Sequence, residues 1–119
     1  DDGTIKVTAY HNKHIKNADC SFSYLIECEG KRIVYSGDIK SYSELDEAIG
    51  EHCDAIICET AHHIFDETCE YLNSKNIDRI FYSHHCRDII NAPDDYRKIV
   101  ESRFGGKALI CEDGDITEI

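Results

Sequence analysis

Three apolar stretches of this chain stop abruptly on side chains that bind metals. Arg32-Ile33-Val34-Tyr35-Ser36 runs into Gly37 and then Asp38. Arg79-Ile80-Phe81-Tyr82-Ser83 runs into His84 and His85. Ile5-Lys6-Val7-Thr8-Ala9-Tyr10 runs into His11, with His14 close behind. Short runs of β-branched and aromatic residues form strands. A strand end is rigid, and a Gly there lets the backbone turn with no Cβ in the way. One such aspartate would read as a turn or a helix cap. Three strands that end this way make a constellation of a carboxylate and imidazoles.

Strands and helices alternate through the rest of the chain. Residues 4–10 predict a strand, and residues 22–27 and 31–35 a hairpin that turns at Cys28-Glu29-Gly30. A helix is expected from Ser41 to about Glu51, with Ser43 and Asp46 in a capping arrangement. Residues 54–58 are a short apolar run of the kind buried on both faces of a sheet. Residues 64–74 are amphipathic, with Phe65, Cys69 and Leu72 on one stripe. Residues 77–83 predict another buried strand. Residues 88–104 predict a helix interrupted near Pro93 that turns Ile99 and Val100 inward and stops at Gly105-Gly106. A strand over 107–111, a turn at Asp113-Gly114 and a last short strand over 116–119 follow. This is an α/β (α+β) arrangement on a mixed sheet. No repeat or linker divides residues 1–119, which are read as a single unit.

Bulk properties exclude some function classes. No apolar run approaches the roughly 20 residues that span a bilayer, so no membrane partner is expected. No signal-peptide pattern is visible. The chain begins Asp1-Asp2-Gly3 and contains no Met, from which we expect the natural product to start upstream. The net charge of −11 repels phosphate backbones and makes this segment alone a poor nucleic-acid platform. The seven cysteines are odd in number and form no C-x-x-C, and Cys28, Cys58 and Cys111 stand in apolar strand contexts. That favours a reducing cytoplasm over a disulfide scaffold. A Cys/His zinc site has poor spacing here.

Asp38 carries two oxygens and can bridge two cations, and imidazole with carboxylate suits zinc, iron or manganese. His14 and His84 are candidate metal ligands; His11 competes with the first and His85 with the second. Whichever of each pair is not a ligand would point away or support its neighbour.

Ser23-Tyr24-Leu25-Ile26-Glu27, Tyr35-Ser36-Gly37-Asp38, Ile56-Ile57-Cys58-Glu59-Thr60 and Tyr82-Ser83-His84 follow His14 in this order. The set resembles the metallo-β-lactamase superfamily, in particular its branch of ribonuclease Z and related phosphodiesterases. Glu112-Asp113-Gly114-Asp115 resembles that family's closing turn. The family's H-x-H-x-D-H signature is absent, so the resemblance covers the C-terminal half of the fold. It implies half of an αββα sandwich, a mixed sheet with helices packed on one face. It also implies a partner: the N-terminal half of the same fold, which carries the missing ligands. By the family's pattern, His14 binds one divalent ion, His84 the other, and Asp38 bridges them.

The resemblance implies a metal-dependent hydrolase, a phosphodiesterase acting through a metal-activated hydroxide on a small phosphodiester. Thioester, lactone or amide hydrolysis and a non-catalytic module are the alternatives on the same scaffold. The chain departs from ribonuclease Z where Cys58-Glu59-Thr60-Ala61 replaces His-Glu-Ala-Thr. Glu59 matches, and His62 or His63 is the candidate for the missing imidazole, so Asp38, Glu59 and His62 are the expected catalytic residues. Half a sandwich also exposes one sheet face, from which a homodimer or aggregation is expected.

Overall fold

The computed structural model describes residues 3–16 and 20–119; the Asp1-Asp2 pair lies outside them. Six strands form one sheet in chain order: β1 (Ile5–His11), β2 (Phe22–Cys28), β3 (Lys31–Tyr35), β4 (Cys53–Glu59), β5 (Ile77–Ser83) and β6 (Ala108–Ile110). β1, β2 and β3 are antiparallel, whereas β3 to β6 run parallel. Parallel neighbours need a crossover. Here α1 (Asp46–Ile49) joins β3 to β4, and α2 (Phe65–Asn73) joins β4 to β5. α3 (Arg87–Asn91) and α4 (Pro93–Phe104) join β5 to β6. The break between them falls at Ala92, with Pro93 in the first turn of α4. No helix among the described residues is long and apolar enough to cross a membrane.

The register separates the two faces. Leu25, Val34, Ile56 and Ile80 form one row across the sheet, and Cys58, Tyr82 and Ile110 form the next on the same side. All seven are buried in one cluster with Leu45 and Ile49, Cys69 and Leu72, Ile89 and Val100 from the three crossovers. The helices therefore cover a single face. The opposite face carries the rows Val7, Ile26, Ile33, Ala55, Arg79 and Ala9, Tyr24, Tyr35, Ile57, Phe81, Leu109. No helix among the described residues covers it; Val7 is 53% exposed and Tyr35 43%.

Two expectations are corrected. No strand forms over 116–119. Instead Arg79, on the uncovered face, donates to the Glu118 carbonyl (3.3 Å) and the Thr117 hydroxyl (3.4 Å), and its guanidinium lies over Phe81. This segment therefore bonds to a side chain and not to the edge of β6. The helix expected over 41–51 is a 3-10 turn at Tyr42–Leu45 followed by α1, which ends where Gly50 adopts φ 62°. Its cap pairs Ser41 with Glu44, not Ser43 with Asp46. The Asp46 carboxylate is taken by Lys75 (2.7 Å) and the Tyr71 hydroxyl (2.8 Å).

Gly37 is the glycine with the tightest requirement. Its φ is +56°, and a Cβ there would sit 2.6 Å from the Phe22 carbonyl oxygen. The exit of β3 thus passes directly against β2. Gly37→Ala should lower unfolding free energy in urea by about 2 kcal/mol or more, since strain and a backbone clash act together. An unchanged midpoint would contradict this close approach.

Candidate metal centre

The chemistry-bearing side chains lie at the C-terminal ends of β3, β4 and β5, where parallel strands all point one way. Beyond β3 the backbone stays tied to β4. Ser36 N–H donates to the Ile57 carbonyl (2.9 Å), and Glu59 N–H donates to the Ser36 hydroxyl (3.0 Å). Asp38 follows the Gly37 turn and is half-exposed. Ile39 beside it is fully buried. Burial of an Ile side chain is worth about 1.5–3 kcal/mol, which holds this loop down while Asp38 faces the rim.

Glu59 ends β4 and is 2% exposed. Burying a carboxylate is costly unless its oxygens find donors. One oxygen accepts the Ile39 N–H (2.7 Å); the other accepts the His62 N–H (3.1 Å) and lies 2.7 Å from His62 Nδ1. His63 Nε2–H donates to the Ile39 carbonyl (3.0 Å). The residue after Asp38 is thus gripped from both sides. His63 itself packs at a tilt against Tyr42, ring centroids 4.4 Å apart. Burial raises the Tyr42 phenol well above its ordinary range, so it acts as a neutral wall bonded to Thr68.

His84 follows β5 with φ +44°, a left-handed conformation that is uncommon without glycine. Thr60 N–H (3.2 Å) and the Thr60 hydroxyl (3.4 Å) hold its carbonyl in place. Strain of this kind gathers at functional sites. The ring points at Asp38, Nδ1 to Oδ1 2.7 Å. His85 turns away: its Nε2–H donates to the Cys111 carbonyl (2.8 Å), and its Nδ1 lies 3.3 Å from the Thr60 hydroxyl.

His14 stands on the loop after β1. The Asn12 carboxamide oxygen accepts the His14 N–H (3.3 Å), and Asn12 also bonds Ser23 (3.2 Å). Glu44 accepts the Lys13 N–H (2.8 Å) together with the Lys40 and Ser41 N–H groups, tying the His14 loop to the Asp38 loop. His14 Nε2 lies 3.8 Å from the second Asp38 oxygen, and its ring contacts His62 at 4.5 Å. His11 lies within β1, edge-on to Phe22 at 5.6 Å.

The structure therefore brings Asp38, Glu59, His62 and His84 together, with ligand-capable atoms all within 4.8 Å of one another. His14 reaches the same Asp38 carboxylate from the other side. Two imidazoles with two carboxylates form a mixed nitrogen and oxygen donor set that suits zinc, iron or manganese. No cysteine belongs to this group. Burial pushes the Cys58 thiol up to about 12 and the Cys53 thiol to about 11, so both remain protonated near neutrality and are poor ligands. Sequence reasoning missed Asn12, Ser36 and Thr60, which hold the site without facing it. Asn12 left a signal: an Asn two residues before His14 can accept that residue's N–H.

Among solved structures, the chain is similar to the metallo-β-lactamase fold protein YhfI from Bacillus subtilis. The TM-score is 0.74 at 19% sequence identity, over 98% of this chain and 50% of that one. It is also similar to Zn(2+)-bound PqqB from Methylobacterium extorquens. There the TM-score is 0.66 at 18% identity, over 98% of this chain and 48% of that one. The chain spans about half the length of these structures. No protein-family model matches it, and no curated protein sequence matches it significantly.

The doubly gripped Glu59 carboxylate yields a test. In Glu59→Gln the new amide must set an N–H donor against either the Ile39 or the His62 N–H. A buried unmatched donor costs about 1–3 kcal/mol. Urea unfolding should register that loss, and a variant as stable as the parent would refute the clamp.

Proposed function

We propose that this chain, half of a metallo-β-lactamase fold, is the C-terminal part of a metal-dependent hydrolase that cleaves a small phosphodiester. The observation that carries the reading is the Asp38 carboxylate, which meets His84 through one oxygen and His14 through the other, beside the buried Glu59–His62 pair. His14, Asp38 and His84 would hold two divalent ions, with Asp38 shared. The donor set accepts zinc, iron or manganese, and the zinc in one fold neighbour favours zinc. Bound ions supply Lewis acidity that activates water and offsets charge on the substrate.

The chain's own residues do the rest. Asp38 and His84 orient each other. Glu59 holds His62 through Nδ1, which fixes the ring for proton transfer to a leaving group. Glu59 is a positioning group in this scheme, because its oxygens are already occupied by two backbone N–H groups. The remaining metal ligands would come from a second half of the fold seated on the uncovered sheet face. The thiol content fits a reducing cytoplasm.

Turnover of bis(4-nitrophenyl) phosphate by the complete protein tests the reading. Groups that merely support metal ligands are worth about 10–100-fold, so Asp38→Ala should cost more than about 100-fold. An undiminished rate would refute the shared-ligand role.

The uncovered face supplies a second test. With Val7 and Tyr35 exposed in continuous apolar rows, this chain alone should self-associate. Light scattering should give a mass that rises with concentration. A constant monomer mass would count against a missing layer on this face.

A further inference from the structure

A cavity of about 370 Å³ opens between the two loops that carry His62 and His84. His63 and Cys86 line its inner side; His63 Nε2 lies 3.8 Å from the Glu59 carboxylate. The cavity is therefore the neighbouring compartment to the candidate metal centre. Its walls are apolar and aromatic: Phe65 and Tyr96 meet edge to face at 5.1 Å and 82°, and Ile64 on the rim is 64% exposed. Asp66 and Asp88 also line it, and no Lys or Arg does. Asp66 is paired with Arg103 at 2.6 Å. Asp88 has no ion-pair partner among the described residues. It is close enough to Tyr96 to add, after burial, to the rise in that phenol's pKa.

We infer that this cavity is a specificity subsite for a positively charged, partly apolar arm of the substrate, such as an organic ammonium group. The inference rests on the hydrolase reading for its catalytic consequence, though not for binding itself. An anion entering here would meet Asp88 and find no cation. An ammonium would meet one carboxylate that has no cation of its own, beside the Phe65 and Tyr96 rings that line the cavity. The phosphodiester would thus be drawn by metal at one end and by Asp88 and Tyr96 at the other.

Binding is tested on the complete protein stripped of metal, by nuclear magnetic resonance, with phenethylammonium as probe and 3-phenylpropanoate as its anionic counterpart. Backbone signals of Phe65, Asp66, Tyr96 and Ile99 should shift with the cation and not with the anion. Asp88→Asn, an exposed substitution, should weaken cation binding about tenfold. Equal response to both probes, no response, or indifference to Asp88→Asn would each overturn the subsite. The complete metal-loaded protein should then favour 4-nitrophenyl phosphorylcholine over methyl 4-nitrophenyl phosphate in kcat/KM, with a smaller preference in Asp88→Asn. If neither ester is cleaved while the cation binds, the hydrolase reading falls and the subsite stands. If both are cleaved equally and the cation does not bind, the subsite falls and the hydrolase reading stands.

Discussion

One buried carboxylate organises the end of the sheet. Glu59 lies at the close of β4 with 2% of its surface exposed, and such a group persists only where donors meet both oxygens. The donors come from two different loops: the Ile39 N–H and the His62 N–H with its ring. Satisfying Glu59 therefore fixes the backbone beside Asp38 and the position of His62 in one act. His63 tightens the same grip through the Ile39 carbonyl. The candidate centre is a consequence of how a buried charge is solvated by the chain itself.

The sheet explains why the pieces meet. Parallel pairing of β3, β4 and β5 puts three strand ends side by side, and the Gly37 turn keeps β3 close to β2 and so to the His14 loop. The helices bury one face. The other keeps an unbroken apolar row from Ala9 to Leu109 and a second that ends on Arg79, where the segment after Gly114 is held. The chain spans about half the length of its fold neighbours and matches half of their fold, and no helix among the described residues packs on its second sheet face.

Much of this was legible in one dimension. The apolar runs of β4 and β5 read as strands because they are short and rich in Ile and aromatic residues, and Tyr35-Ser36-Gly37-Asp38 announced a strand that ends on a carboxylate. Proximity across loops was less legible. Choosing His84 over His85 as Asp38's neighbour depends on a left-handed backbone at His84 that composition does not predict. The Ser41–Glu44 cap was missed because Asp46 looked equally apt, yet Asp46 is drawn off by Lys75. The predicted strand over 116–119 failed because its alternation is short and an arginine on the sheet face offered other partners. Asn12 and Thr60 act by holding backbone groups, a role that residue type alone seldom reveals.

The most direct test of the gathered donors is anomalous X-ray diffraction from crystals of the chain equilibrated with zinc. A zinc peak is expected at the rim, within bonding distance of the Asp38 carboxylate and at least one of the His14 and His84 imidazoles. Zinc bound through cysteine sulfurs, or a rim that stays empty at saturating zinc, would contradict it.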